Sequence, residues 1–114
     1  MVVKELIMKI FDPSNMTAFP YDQRDKNVFY QTKEFKTRII ELPPGGQMPS
    51  CEMASYVIFY VLDGEANVIV NSEKVLIKKE QCLITEPATI SMKTESGIRL
   101  MGIQVVKAQT DFSA

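Results

Sequence analysis

The chain contains no histidine, so any chemistry that needs imidazole as ligand, base or partner of a nucleophile is excluded at the outset. Sulfur is the next candidate. Cys51 and Cys82 sit in no Cys-x-x-Cys or zinc spacing, and in a reducing compartment both are expected as thiols rather than as a disulfide. A thiolate nucleophile needs a cation or base beside it, and no such neighbour is evident for Cys51, so the expectation there is a buried, inert thiol. The polar candidates are Glu52, Ser55, Tyr56, Tyr60 and Ser91. Arg38 and Arg99 lie in strand-like segments and would reach an anionic ligand from an inner face, or water from an outer one.

These residues must be positioned by strands. The run 57–62, VIFYVL, is apolar and leads into Asp63-Gly64, where glycine can take the positive φ of a tight hairpin turn, and 66–70 continues as the next strand. Further β-branched, aromatic or alternating runs cover 27–31, 34–42, 48–53, 74–78, 82–85, 89–93 and 98–106. Turn signals separate them at Pro43-Pro44-Gly45-Gly46, Asn71-Ser72, Lys79-Glu80 and Glu95-Ser96-Gly97. Many short strands with almost no helix indicate a sandwich or barrel. The segment 2–11 places its apolar residues at a spacing that suits a short helix or an arm strand. Residues 12–27 read as an irregular loop, with Met16, Phe19 and Tyr21 tucked against the body.

Composition bounds the functional classes. At 114 residues, 46% hydrophobic and 24% charged, the chain is expected to form one domain. A net charge of −1 without basic clusters gives no reason to expect nucleic acid or an anionic membrane as partner. No apolar run reaches the roughly 20 residues of a membrane-spanning helix. Lys4, Glu5 and Lys9 argue against a secretory signal, so the cytoplasm is the expected compartment.

The segment 44–66, with Pro44-Gly45-Gly46-Gln47-Met48-Pro49 upstream and VIFYVLDGEA downstream, resembles the first motif of the cupin superfamily. There a Gly-rich turn precedes His-x-His, then a Glu, then a Gly. The resemblance spans about 35–106 and implies an all-β, cupin-like double-stranded β-helix, a jelly-roll barrel. It divides the chain into an N-terminal arm and loop (1–34), the barrel (35–106) and a C-terminal tail (107–114). It also locates what is missing. The two His positions fall on Cys51 and Met53, the Glu position on Val57, and the His of the later second motif on Met92 or Ser91. Alternation of Ile90 and Met92 with Ser91 and Lys93 favours Met92 as the inward residue.

The divalent metal of the family's enzymes therefore has none of its ordinary ligands here, and no metal and no cofactor are expected. The resemblance implies a pocket lined by Cys51, Met53, Val57, Phe59, Ser91 and Met92, free of fixed charge and suited to an uncharged or mixed-polarity small molecule. Non-catalytic binding, or a structural or regulatory role, is the expected function, and no catalytic residue is assigned. The alternative is a cupin-type isomerase or lyase that is metal-free or holds a soft metal through the sulfur of Cys51, Met53 and Met92. Ile58, Tyr60 and Leu62 form an apolar stripe on the opposite face of their strand, so a homodimer is expected.

Overall fold

The computed structural model describes residues 7–107. Eight antiparallel strands form one curled sheet: β1 Val28–Gln31, β2 Phe35–Leu42, β3 Gln47–Met53, β4 Tyr56–Val70, β5 Glu73–Lys78, β6 Cys82–Thr85, β7 Ala88–Lys93 and β8 Ile98–Val105. The strand order is β1-β2-β8-β4-β7-β3, with β5 and β6 also paired to β4. The first half of β4 therefore lies between β8 and β6, and its second half between β7 and β5. One strand thus belongs to both walls of a barrel.

That continuity corrects the hairpin expected at Asp63-Gly64. The chain does not turn back there. Val61 pairs with Leu100 and Asp63 with Arg99, so Leu62 is one residue too many for its partner strand, and a β-bulge carries β4 from one wall to the other. The extra residue reverses side-chain parity: Val57, Phe59 and Val61 are buried before it, Ala66 and Val68 after it. Gly64 makes the bend feasible. Its φ is +79°, and a Cβ there would lie 2.2 Å from the carbonyl oxygen of Gly97. The glycine was the right signal for a positive φ, but it serves a bulge rather than a turn. At Asn71-Ser72 the expected hairpin does form, with both residues at positive φ as a type I′ turn requires.

The core is assembled from alternate residues on both walls. Ile40, Leu42, Met48, Val57, Phe59, Val61, Ala66, Val68, Ile77, Ile90, Met92, Ile98 and Leu100 form one buried cluster. Burial of a single side chain such as Phe59 contributes about 1.5–3 kcal/mol. One end is closed by Thr94, only 1% exposed, whose hydroxyl donates to the Glu65 carbonyl at 2.6 Å and accepts from the Gly97 amide at 2.9 Å.

Ahead of the strands, two short 3-10 helices, Pro13–Asn15 and Tyr21–Asn27, cross the barrel surface. Buried Asn27 holds the backbone of Phe19 at both its amide and its carbonyl. Arg99 donates to the carbonyls of Pro13 and Met16 and pairs with Glu41 at 3.2 Å. Of the residues expected to tuck inward, Tyr21 packs on the core and Met16 is half-buried. Phe19 does not: its backbone is fastened while its ring stays 39% exposed, with the Lys26 ammonium above it. The helix or arm strand expected over 2–11 falls partly outside the described residues, and 7–11 within them form neither. No helix among the described residues is long and apolar enough to cross a membrane.

Candidate functional site

At the end of the barrel opposite Thr94 the inner walls change from hydrocarbon to polar. On β2 the inward positions run Leu42, Ile40, Arg38, Lys36, and on its antiparallel partner β8 they run Ile98, Leu100, Gly102, Gln104. Period-two alternation thus carries two cations and an amide onto the same face that buries leucine and isoleucine deeper in the barrel. Gly102 faces Phe59 across the β4–β8 pair and contributes no side chain. A Cβ there would lie 3.3 Å from Cδ1 of Ile40 and 3.5 Å from the Phe59 ring, so the glycine lets both side chains close on the β8 backbone, where even a methyl group would crowd them.

The result is a half-open cavity of about 410 Å³, within the usual size of small-molecule sites. Its floor is apolar, made by Ile40, Met53, Val57, Phe59 and Ile90, and its rim carries Arg24, Asp25, Lys36, Arg38 and Gln104. Tyr21 and Arg24, from the second 3-10 helix, cover one side, with the Arg24 guanidinium 4.8 Å from the Tyr21 ring centre, a cation–π geometry. Arg38 donates from Nη2 to Oε1 of Gln104 at 3.4 Å, a long and weak hydrogen bond. Burial draws the Arg38 pKa below its ordinary value, Asp25 and Tyr21 drawing it partly back, and the guanidinium stays charged. Burial also raises the Tyr21 phenol, against the pull of Arg24 and Arg38, so the ring hydroxyl is a neutral donor at neutral pH.

Four of the six residues expected in the pocket share this cavity: Cys51, Met53, Val57 and Phe59. Ser91 and Met92 do not. Met92 points inward, as alternation suggested, but its register sets it opposite Met48 and Val68, where it is 2% exposed and fills core. Ser91 pairs with outward-facing Ile69, and Ile90 takes the wall position beside Cys51. The three sulfur side chains of the soft-metal alternative therefore do not line one cavity. Cys51 is also exposed at the rim rather than buried. Cations absent from its sequence neighbourhood reach the same rim from β2 and the second 3-10 helix, so the expected charge-free pocket is corrected to one with a basic mouth. Glu52 turns away from the cavity, as expected from parity, and Tyr56 and Tyr60 are partly exposed on the outer face of β4.

Sequence reasoning missed Tyr21, Arg24 and Asp25, which lie on a segment without periodicity. It also missed Lys36, Gly102 and Gln104, which alternation counted from buried Leu42 and Leu100 would have placed on the inner face.

No family model matches the chain, and no curated protein is similar to it in sequence. Solved structures are similar in fold. The TT1209 protein of Thermus thermophilus superposes with a TM-score of 0.75 at 20% identity, covering 89% of this chain and 100% of its own. A cupin superfamily protein of Desulfitobacterium hafniense DCB-2 gives a TM-score of 0.69 at 15% identity, over 91% of this chain and 97% of its own. The cupin domain of Cnp3 from Schizosaccharomyces pombe gives 0.66 at 20% identity, over 76% and 72%.

Proposed function

The chain has the cupin fold, and from that premise we propose that it binds a small organic molecule of mixed polarity in the open end of its barrel. The observation that carries this reading is the cavity itself, in which an apolar floor of Ile40, Val57, Phe59 and Ile90 meets a polar rim of Arg24, Lys36, Arg38 and Gln104. A cavity graded in this way orients a guest: its hydrocarbon part leaves water against Val57, Phe59 and Ile90, while its polar part meets donors at the mouth.

The metal associated with the fold does not fit these residues. By the motif resemblance Val57 takes the carboxylate position, and it is 2% exposed among hydrocarbon, while Met92 is packed into the core. No step of the proposed function passes through a metal.

The test is Gly102→Leu. Gly102 has no positive φ, so the backbone conformation accepts a side chain, and leucine would crowd Ile40 and Phe59 and intrude on the cavity that all three line. Small aromatic and aliphatic fragments that bind the parent in ligand-observed NMR should lose binding to this variant while its circular dichroism stays that of the parent. Equal binding by both proteins would remove the cavity from the proposal.

The outer face of the β4, β6 and β8 wall supports self-association as part of the same proposal. Tyr56, Tyr60 and Ile84 remain exposed there, Ile84 to 66%, beside half-buried Ile58, Leu62 and Met101. A second copy related by a two-fold axis would set this apolar face against itself.

A further inference from the structure

The basic mouth specifies more about the guest than its size does. Arg24, Lys36 and Arg38 stand at the rim against Asp25 alone, and the one ion pair among the described residues, Arg99–Glu41, lies elsewhere. Among those residues, none of the three rim cations is therefore paired with a carboxylate. Arg38 is the most telling of them. It is half-buried, sits at the boundary between hydrocarbon floor and rim, and reaches Gln104 only through a long contact. A guanidinium held at such a boundary has donors to spare, and its planar fork matches a carboxylate in a bidentate arrangement. The floor beneath it, Val57, Phe59 and Ile90, offers only hydrocarbon.

We propose that the guest is a small monocarboxylate with an apolar body, its carboxylate on Arg38 and its hydrocarbon against Val57, Phe59 and Ile90. This rests on the reading of the cavity as a binding site. Lys36, whose strand position pairs with Gln104, and Arg24 add positive potential at the mouth, so the anion enters head outward and tail inward. A phosphate monoester fits less well, because a strongly hydrated dianion gains little from a floor that offers no further donor.

Calorimetric titration with acid and amide pairs of the same shape tests this: phenylacetate against phenylacetamide, and hexanoate against hexanamide. With the parent protein at pH 7 the acid should bind about ten-fold or more tightly than its amide, the range expected of one hydrogen bond to a charged group. That preference should be halved at about pH 4.3, where a carboxylate is half-protonated, and should fade as the pH falls below it. In Arg38→Gln the acid-to-amide ratio should fall to about one. Should that variant fail to fold by circular dichroism, Lys36→Gln combined with Arg24→Gln should reduce the ratio several-fold. Acid and amide binding equally to the parent would overturn the carboxylate assignment and leave the cavity reading intact. Phenyl phosphate binding more tightly than phenylacetate would also overturn it. Binding of neither acid nor amide would remove both the inference and the reading beneath it.

Discussion

Arg38 and Gln104 meet on the inner wall of the barrel, on strands whose pairing sets Arg38 opposite Gly102 and Lys36 opposite Gln104. The bond between them is diagonal and spans 3.4 Å, so it steers the guanidinium without satisfying it. Replacing Gln104 by Leu should remove that guide and enlarge the apolar wall. Fragment affinity should change by several-fold at the site while global stability, read by urea denaturation, shifts by less than about 1 kcal/mol, since little is lost with so weak a bond. A stability loss well beyond that value would mean that Gln104 is structural.

Gly64 tests the bulge. A Cβ at that position meets the Gly97 carbonyl at 2.2 Å and the backbone takes a φ of +79°, so Gly64→Ala combines a steric clash with conformational strain. Denaturant unfolding should show a loss on the order of 3 kcal/mol. An unchanged midpoint would contradict the close approach of β4 to the turn before β8.

Thr94 closes the far end of the barrel with two hydrogen bonds from a buried hydroxyl. Thr94→Val keeps its shape but orphans the Gly97 amide and the Glu65 carbonyl, at a cost of about 1–3 kcal/mol. Because the site lies at the other end, fragment binding should not change. A variant as stable as the parent would contradict the buried geometry.

Arg99 fastens the segment around Pro13 and Met16 to β8. In Arg99→Ala, hydrogen exchange and proteolysis in residues 12–20 should accelerate while the protection of β4 and β8 stays at the level of the parent, the signature of a local opening. Uniform acceleration across the barrel would show that the latch supports the whole fold.

The outer face of β4 tests assembly. Tyr60→Lys combined with Leu62→Lys places charge on the exposed apolar stripe and should give monomers or insoluble protein. A parent that is monomeric by light scattering at high concentration would contradict self-association.

Strand positions were largely legible because alternation and turn residues carry them locally: Asn71 and Ser72 turn where expected, and β6 runs over Cys82–Thr85. The joining of 57–62 to 66–70 was not. Asp63-Gly64 specifies a positive φ, and whether that φ serves a hairpin or a bulge depends on β8 and on Gly97 in the turn before it, which approaches from 33 residues further along the chain. The site divides in the same way. The motif resemblance placed Cys51, Met53 and Val57 at the pocket and strand parity added Phe59, and all four line the cavity. Ser91 and Met92 fell outside it because inward orientation does not specify depth: Met92 is inward yet packs beside Met48 and Val68. Of the charge at the mouth, Lys36 and Arg38 follow the alternation of β2 from Leu42, whereas Arg24 and Asp25 come with Tyr21 from a non-periodic segment that only the folded chain brings over the barrel.

The central claim is that the cavity under Arg38 binds a small molecule, and methyl chemical-shift mapping tests it most directly. Titration of the methyl-labelled protein with phenylacetate should give saturable shifts at Met53, Val57, Ile40 and Ile90 on the cavity wall, with none at Ile69 and Leu76 on the outer surface. Shifts confined to the outer residues, or no saturable shift at any of the four wall residues, would contradict it.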